Sequence, residues 1–354
     1  MSSTVAEILK TIPYTRSNTA SLSAKMMLKK LFFFFGLLQA VISQERRIYI
    51  DTVSCAEGKT FDAVQEAYQS AIIRAGLVIE ALRPWAEEGA NINTFDGRIR
   101  NVFDLLFGAE WTRTKVGYVF DHLDRLLELQ YMNNLMSNGD WVAARTMNDI
   151  EIRCNGDHII PHKHPQEPNI NYQNSITGKW LADNDDELSL LSRWAPAIAV
   201  TSQMKTRDWD PRAPEIVAYN QWKLSYTINW DGFPGNDLVT GGIKIDQAAV
   251  EAAANPRLHR WFVTQIPSWV PRISFAPIDL LDRLESTMLH ELTHTIAGRR
   301  TVDLDWPNSY GWRNCLRIQS HKNADSIALF ALAVELINHY QYDVNEAGEL
   351  IRIE

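Results

Sequence analysis

Nowhere in the 354 residues is there a run of the ~20 consecutive apolar side chains that a membrane-crossing helix needs, so a permanent membrane anchor is not expected. Long basic runs are missing too, and 43 acidic against 35 basic residues give a formal charge of −8. With nothing to track a phosphate backbone, nucleic acid is not an expected partner. No Asn-x-Ser/Thr sequon occurs, which removes the usual site of N-glycosylation. Three cysteines, Cys55, Cys154 and Cys315, are too few for a disulfide scaffold, although an oxidising compartment permits one bridge with one thiol left over. Repeats, low-complexity tracts and long linkers are absent as well. What is present is a 45% apolar content, enough for a sizeable buried core.

The apolar pattern divides the chain. Met26-Met27-Leu28-Lys29-Lys30 is a basic flank, Leu31 to Leu38 an apolar centre and Val41-Ile42-Ser43 a stretch suited to cleavage, so residues 26–43 read as a secretory signal peptide. Residues 1–25 then read as an extension from a mis-assigned start. Residues 1–43 hold five basic residues and one acidic, a net +4, so their removal takes the charge from −8 to −12.

Residues 44–150 read as a helical region, because apolar residues recur at three- and four-residue steps. Phe61, Val64, Ala67, Ala71, Ile72, Ala75, Val78 and Leu82 mark a helix from Thr60 to about Leu82; others are expected over Gly97–Phe107 and from Thr112 to Leu135. Residues 151–354 are expected to share one core with them. Between Asp140 and Trp230, Pro, Gly, Asn and Asp break the chain into loops and short strands, with strands expected at Ala195–Thr201, Lys223–Asn229 and Leu238–Thr240 before Gly241-Gly242. Helical spacing returns from Ile278 to Ala297, with Gly298 as its stop, and from Asn323 to His339.

Near the end of the first of these helices lies His290-Glu291-Leu292-Thr293-His294. Residues four apart share a helix face, so both imidazoles can reach one ion while Glu291 is turned toward a water beside it. That is the arrangement of zinc-dependent peptide hydrolysis, in which three protein ligands leave room for water and a carboxylate takes its proton. No histidine follows before His321, so the extended metzincin motif is absent. A thermolysin-like enzyme would draw its third ligand from a following helix, where Glu335 is the candidate. Two nearer acids, Asp303 and Asp305, lie in a segment that could present either of them.

Thr301-Val302-Asp303, then Tyr310-Gly311, then Asn323-Ala324-Asp325-Ser326 resemble the deuterolysin or aspzincin family of fungal metalloendopeptidases, which includes peptidyl-Lys metalloendopeptidase-like proteins. Members pair HExxH with GTxDxxYG and a later NADS-like segment. The resemblance implies an α+β, predominantly helical, zincin-like fold with a small irregular sheet, and a secreted zinc endopeptidase acting on peptide or protein substrates as a monomer. It implies His290, His294 and Asp303 as metal ligands, Tyr310 as oxyanion stabiliser and Asp325 as support for a ligand histidine. Cys55 and Cys154 match family cysteines and are expected to pair, leaving Cys315 free and buried. This chain departs from the pattern in two places: Arg300 stands where the family has glycine, and six residues rather than two separate Asp303 from Tyr310.

Plainer readings accompany each feature. Asp325 could cap its own helix, and Tyr310 could pack a turn. Asp157, His158, His162 and His164 lie among prolines and read as a solvated loop rather than a second zinc site. Trp85, Trp180, Trp194, Trp222, Trp261 and Trp269 are scattered without a repeat, which suits packing better than carbohydrate binding. An inactive relative that kept the fold as a binding or effector protein is the alternative to a peptidase.

Overall fold

A five-stranded sheet lies against a layer of long helices, and the computed structural model shows why each forms. It describes residues 46–56, 58–86, 96–109, 113–183, 185–192, 198–202, 213–228, 243–257, 276–305 and 308–354. The expected signal peptide, the extension before it, the strand at Leu238–Thr240, and Trp194, Trp261 and Trp269 lie outside these residues.

The chain enters on strand β1 (Arg47–Ile50), followed by helices α1 (Thr60–Ala86), α2 (Gly97–Phe107) and α3 (Arg113–Leu127), strand β2 (Gln130–Tyr131) and the short helix α4 (Asn138–Ala144). Strands β3 (Ile150–Arg153), β4 (Ile159–Pro161), β5 (Tyr172–Asn174), β6 (Trp180–Leu181), β7 (Ala199–Ser202) and β8 (Glu215–Tyr219) come next. Helices α5 (Gln221–Ile228), α6 (Gln247–Ala253), α7 (Leu284–His294), α8 (Trp312–Ile318) and α9 (Ala324–Glu335) lead to a closing hairpin of β9 (Tyr342–Val344) and β10 (Leu350–Arg352).

The main sheet runs in the order β2-β1-β3-β8-β7. All neighbours are parallel except β7, which is antiparallel to β8. The Ile216-Val217-Ala218-Tyr219 run of β8 is buried throughout, as a strand covered on both faces must be. β7 is an edge, paired on one side only among the described residues. β4, β5 and β6 form a separate antiparallel sheet.

One apolar core draws on both the N-terminal helices and the later elements. α1 contributes a stripe of small residues, Ala67, Ala71 and Ala75, with Val64 and Val78, all fully buried. Phe103 and Phe107 of α2 meet Phe330 of α9 edge-on at 5.4 and 5.5 Å. The expected disulfide is present: Cys55 and Cys154 are bonded at 1.98 Å, linking the turn after β1 to the end of β3, and Cys315 is free and buried. Closing a loop of that length stabilises a fold by roughly 3–5 kcal/mol on the chain-entropy account.

Four expectations need correction. The helix expected to reach Leu135 stops at Leu127, because Gln130 and Met132 give their amides to the carbonyls of Arg46 and Ile48 and extend the sheet. The N-terminal region is therefore not purely helical. Of the strand expected over Lys223–Asn229, the described residues Lys223–Ile228 are helical: Asn220 accepts the Lys223 and Leu224 amides and starts α5. Its apolar run was short enough to suit either period. The helix expected over Ile278–Ala297 is split into a 3₁₀ turn at Pro277–Leu281 and α7. The break falls at Asp282 and Arg283, whose backbones are extended (ψ 94° and 176°), while Asp279 caps the start of the turn by accepting the Ala276 amide. α7 stops at His294, and Gly298 has another role: a Cβ there would sit 2.3 Å from the Leu292 carbonyl oxygen, so only glycine lets the turn fold back on the helix.

Candidate metal centre

The last turn of α7 presents His290 and His294 to the same point. Their Nε2 atoms are 3.1 Å apart, and Asp303 Oδ1 and Oδ2 lie 3.3 Å from His290 Nε2 and 3.5 Å from His294 Nε2. The three side chains offer ligand atoms all within 4.8 Å of one another, a cluster that could hold a metal ion. Asp303 reaches it because its flanking backbone is stitched to the start of α9: Val302 bonds with Lys322 and Ala324, and the Leu304 amide reaches Asn323 Oδ1.

The ring orientations are fixed from behind. His294 Nδ1 faces the Thr301 carbonyl at 2.9 Å; a carbonyl only accepts, so Nδ1 carries the proton and Nε2 keeps its lone pair for the cluster. Asp325 Oδ1 lies 3.5 Å from His290 Nδ1 and favours the same tautomer there. The other oxygen of Asp325 accepts the Gly311 amide at 2.6 Å and a contact from Cys315 Sγ at 3.4 Å. Asp325 thus ties down the Tyr310-Gly311 turn rather than capping its own helix.

Tyr310 stacks on His290 with ring centres 5.5 Å apart and donates its hydroxyl to Asp303 Oδ2 at 2.8 Å. Despite the longer spacing in sequence, the tyrosine hydroxyl reaches the aspartate. Burial, followed by the charge of Asp303, pushes the Tyr310 hydroxyl well above its ordinary range.

A group of this kind should leave a donor waiting for an ion. Asp303 Oδ1 is buried with no hydrogen-bond partner among the described residues. Two imidazole lone pairs and an unsatisfied carboxylate oxygen facing one another fit a divalent cation of borderline softness.

Asp305 is not part of the cluster. Its backbone turns into the left-handed region at φ 61°, and its carboxylate pairs with Arg317 at the surface. Glu335 points elsewhere too, held by Arg74 at 2.7 Å. The histidine-rich segment, expected as a solvated loop, instead carries β4 over Ile159–Pro161 and buries His158, while His162 and His164 pack edge to face with Trp180 at 5.1 and 4.7 Å; no second metal group occurs among the described residues.

Glu291 is buried beside the ligands but faces the sheet. Thr201 of β7 donates its hydroxyl to Glu291 Oε2 at 2.7 Å. A cavity of about 100 Å³ opens between Tyr310, Asp325, Asp279 and Ser286, with Leu329 and Leu332 as its apolar floor. Sequence reasoning passed over Thr201 and the Thr301 carbonyl; Thr201 does end the expected strand at Ala195–Thr201, whereas nothing in the sequence marks a backbone carbonyl.

Compared with protein-family models, with curated proteins and with solved structures, the chain matches none.

Proposed function

We propose that this protein is a secreted zinc-dependent endopeptidase. The observation that carries the reading is the convergence of His290 Nε2, His294 Nε2 and Asp303 Oδ1, which makes no hydrogen bond among the described residues, next to Glu291, a carboxylate that takes no part in the cluster. Three ligands of N, N and O type match zinc in hydrolytic sites, where the remaining position stays open. Zinc held there would supply Lewis acidity and lower the pKa of water toward ~7.

The chain's own residues account for the rest of the reaction. Glu291 accepts the proton of the attacking water as its oxygen bonds to the scissile carbonyl carbon, then delivers that proton to the leaving nitrogen as the C–N bond breaks. Thr201 fixes which way the Glu291 carboxylate points. Tyr310 sits within reach of Asp303 to donate its hydroxyl to the developing oxyanion. The edge of β7, unpaired among the described residues, runs past Glu291 and offers backbone groups to an extended peptide, the usual mode of strand addition.

The signal-like segment at 26–43 and the Cys55–Cys154 bridge support export to an oxidising compartment. No helix among the described residues is long and apolar enough to cross a membrane. The motifs resembling deuterolysins support the same chemistry, and the pairing of Asp303 with Tyr310 favours that pattern over a thermolysin-like site.

The test is cleavage of casein by the secreted protein before and after chelation. We expect cleavage that is abolished by a zinc chelator and restored by stoichiometric zinc. Zinc uptake with no cleavage of casein or other unstructured proteins would instead identify a zinc-binding protein that has lost the activity.

A further inference from the structure

Glu215 opens β8, and although every other residue of that strand is apolar or aromatic, it buries a carboxyl group with 1% of the residue exposed. Its main chain is locked into the sheet: the amide bonds to the Asp149 carbonyl at 2.9 Å, and the residue stands in register with Ile150 of β3. The side chain reaches out of the sheet to the turn that follows α7, where Oε2 accepts the Ile296 amide at 2.6 Å.

That turn needs an anchor. It contains Arg299 at φ 61° and Arg300 at φ 56°, two consecutive non-glycine residues in the left-handed region that L side chains rarely adopt. Such a conformation persists only where the surroundings impose it. Its product is the return of Thr301 to α7, with Thr301 N on the Thr293 carbonyl and the Thr301 carbonyl on His294 Nδ1 at 2.9 Å.

We propose that Glu215 is a positioning residue for the metal centre, holding the Ile296 amide so that the turn presents the Thr301 carbonyl to His294 and sets the tautomer that leaves Nε2 free for the ion. The inference rests on the metal-centre reading above. The cost of this carboxyl is visible in the structure: Oε1 is buried with no hydrogen-bond partner among the described residues. Burial pushes the group up to about 7, against the pull of the Ile296 amide, Arg300 and Arg46. A strand under packing constraints alone would place an apolar side chain there.

The test compares three variants of the full secreted chain. Glu215→Gln keeps an acceptor for the amide; Glu215→Leu removes the acceptor; Ile296→Pro removes the donor. Proline suits that position from the N-terminal side, since Thr295 already has the extended backbone (φ −71°, ψ 167°) that a residue before proline requires. Zinc affinity is read by competition with a chromogenic chelator, and unfolding temperature is measured with and without zinc.

We expect Glu215→Leu and Ile296→Pro to weaken zinc binding about 10- to 100-fold, the range for losing support behind a ligand histidine, and Glu215→Gln to stay within about threefold of the parent. The rise in unfolding temperature on adding zinc should shrink in the first two only. If Glu215→Leu does not fold, Ile296→Pro gives the same readout from the donor side. Zinc affinity unchanged in the Leu and Pro variants, even with a lower metal-free unfolding temperature, overturns the inference and leaves the metal centre standing. A parent chain that takes up no zinc overturns both.

Discussion

Replacing Glu291 by glutamine leaves zinc bound and lowers casein cleavage by about 10²- to 10⁴-fold, the contribution of a positioned general base. Glutamine keeps the shape of the side chain and can still accept the Thr201 hydroxyl on its carbonyl oxygen. What it cannot do is take a proton from water. Because Glu291 lies outside the His290–His294–Asp303 cluster, the ligand set is untouched and the zinc content should equal that of the parent. Loss of metal together with activity would instead make Glu291 part of the binding site, and unchanged activity would remove it from the chemistry.

The second large effect lies away from the ligands. Arg74 projects from α1 into the centre of the molecule with only 1% of its surface exposed, and it donates to Glu335 Oε2 and Ser286 Oγ, both at 2.7 Å, and to Glu285. These partners sit on α9 and α7, so one guanidinium ties the helix bearing the metal ligands to its two neighbours. Glu285 is itself buried; desolvation pushes its carboxyl up, and Arg74 is the main opposing influence. Arg74→Leu leaves the buried carboxylate of Glu285 and the partly buried one of Glu335 without their cation, and breaking a buried pair from one side costs about 3–5 kcal/mol. Urea or thermal unfolding of metal-free protein measures this directly. A loss under about 1 kcal/mol would show that the cluster is hydrated or rearranges freely.

Those two residues differ in how far the sequence exposes them. Glu291 is named by its motif, since a helix with histidines four apart fixes the geometry locally. α1 and α2 were legible for the same reason, as periodic apolar faces many turns long. Arg74 gave no such signal, because its three partners are more than 200 residues away along the chain. β1 and β2, four and two residues long, carry too few side chains to show a period, and it is the pairing of β1 with β3 and of β2 with β1 that makes them strands. Lys223–Ile228 was misread because a few alternating apolar residues serve either structure and the start at Asn220 decides.

The site divides in the same way. Asp303 and Asp305 are equivalent in composition and nearly so in position, and what separates them is the backbone pairing of Val302 with Lys322 and Ala324 and the bond from the Leu304 amide to the Asn323 side chain, together with the pull of Arg317 on Asp305. The six-residue spacing between Asp303 and Tyr310 is a departure in sequence, yet the tyrosine still bonds to the aspartate. Thr201 and Glu215 reach α7 and its following turn from the sheet, contacts that only the folded chain assembles.

The most direct measurement is zinc content by elemental analysis of the secreted parent chain, Asp303→Ala and Asp305→Ala. The parent and Asp305→Ala should each retain about one zinc per chain, and Asp303→Ala should lose it or bind it far more weakly. A parent without zinc, or loss of zinc in Asp305→Ala but not in Asp303→Ala, would contradict the metal centre described here.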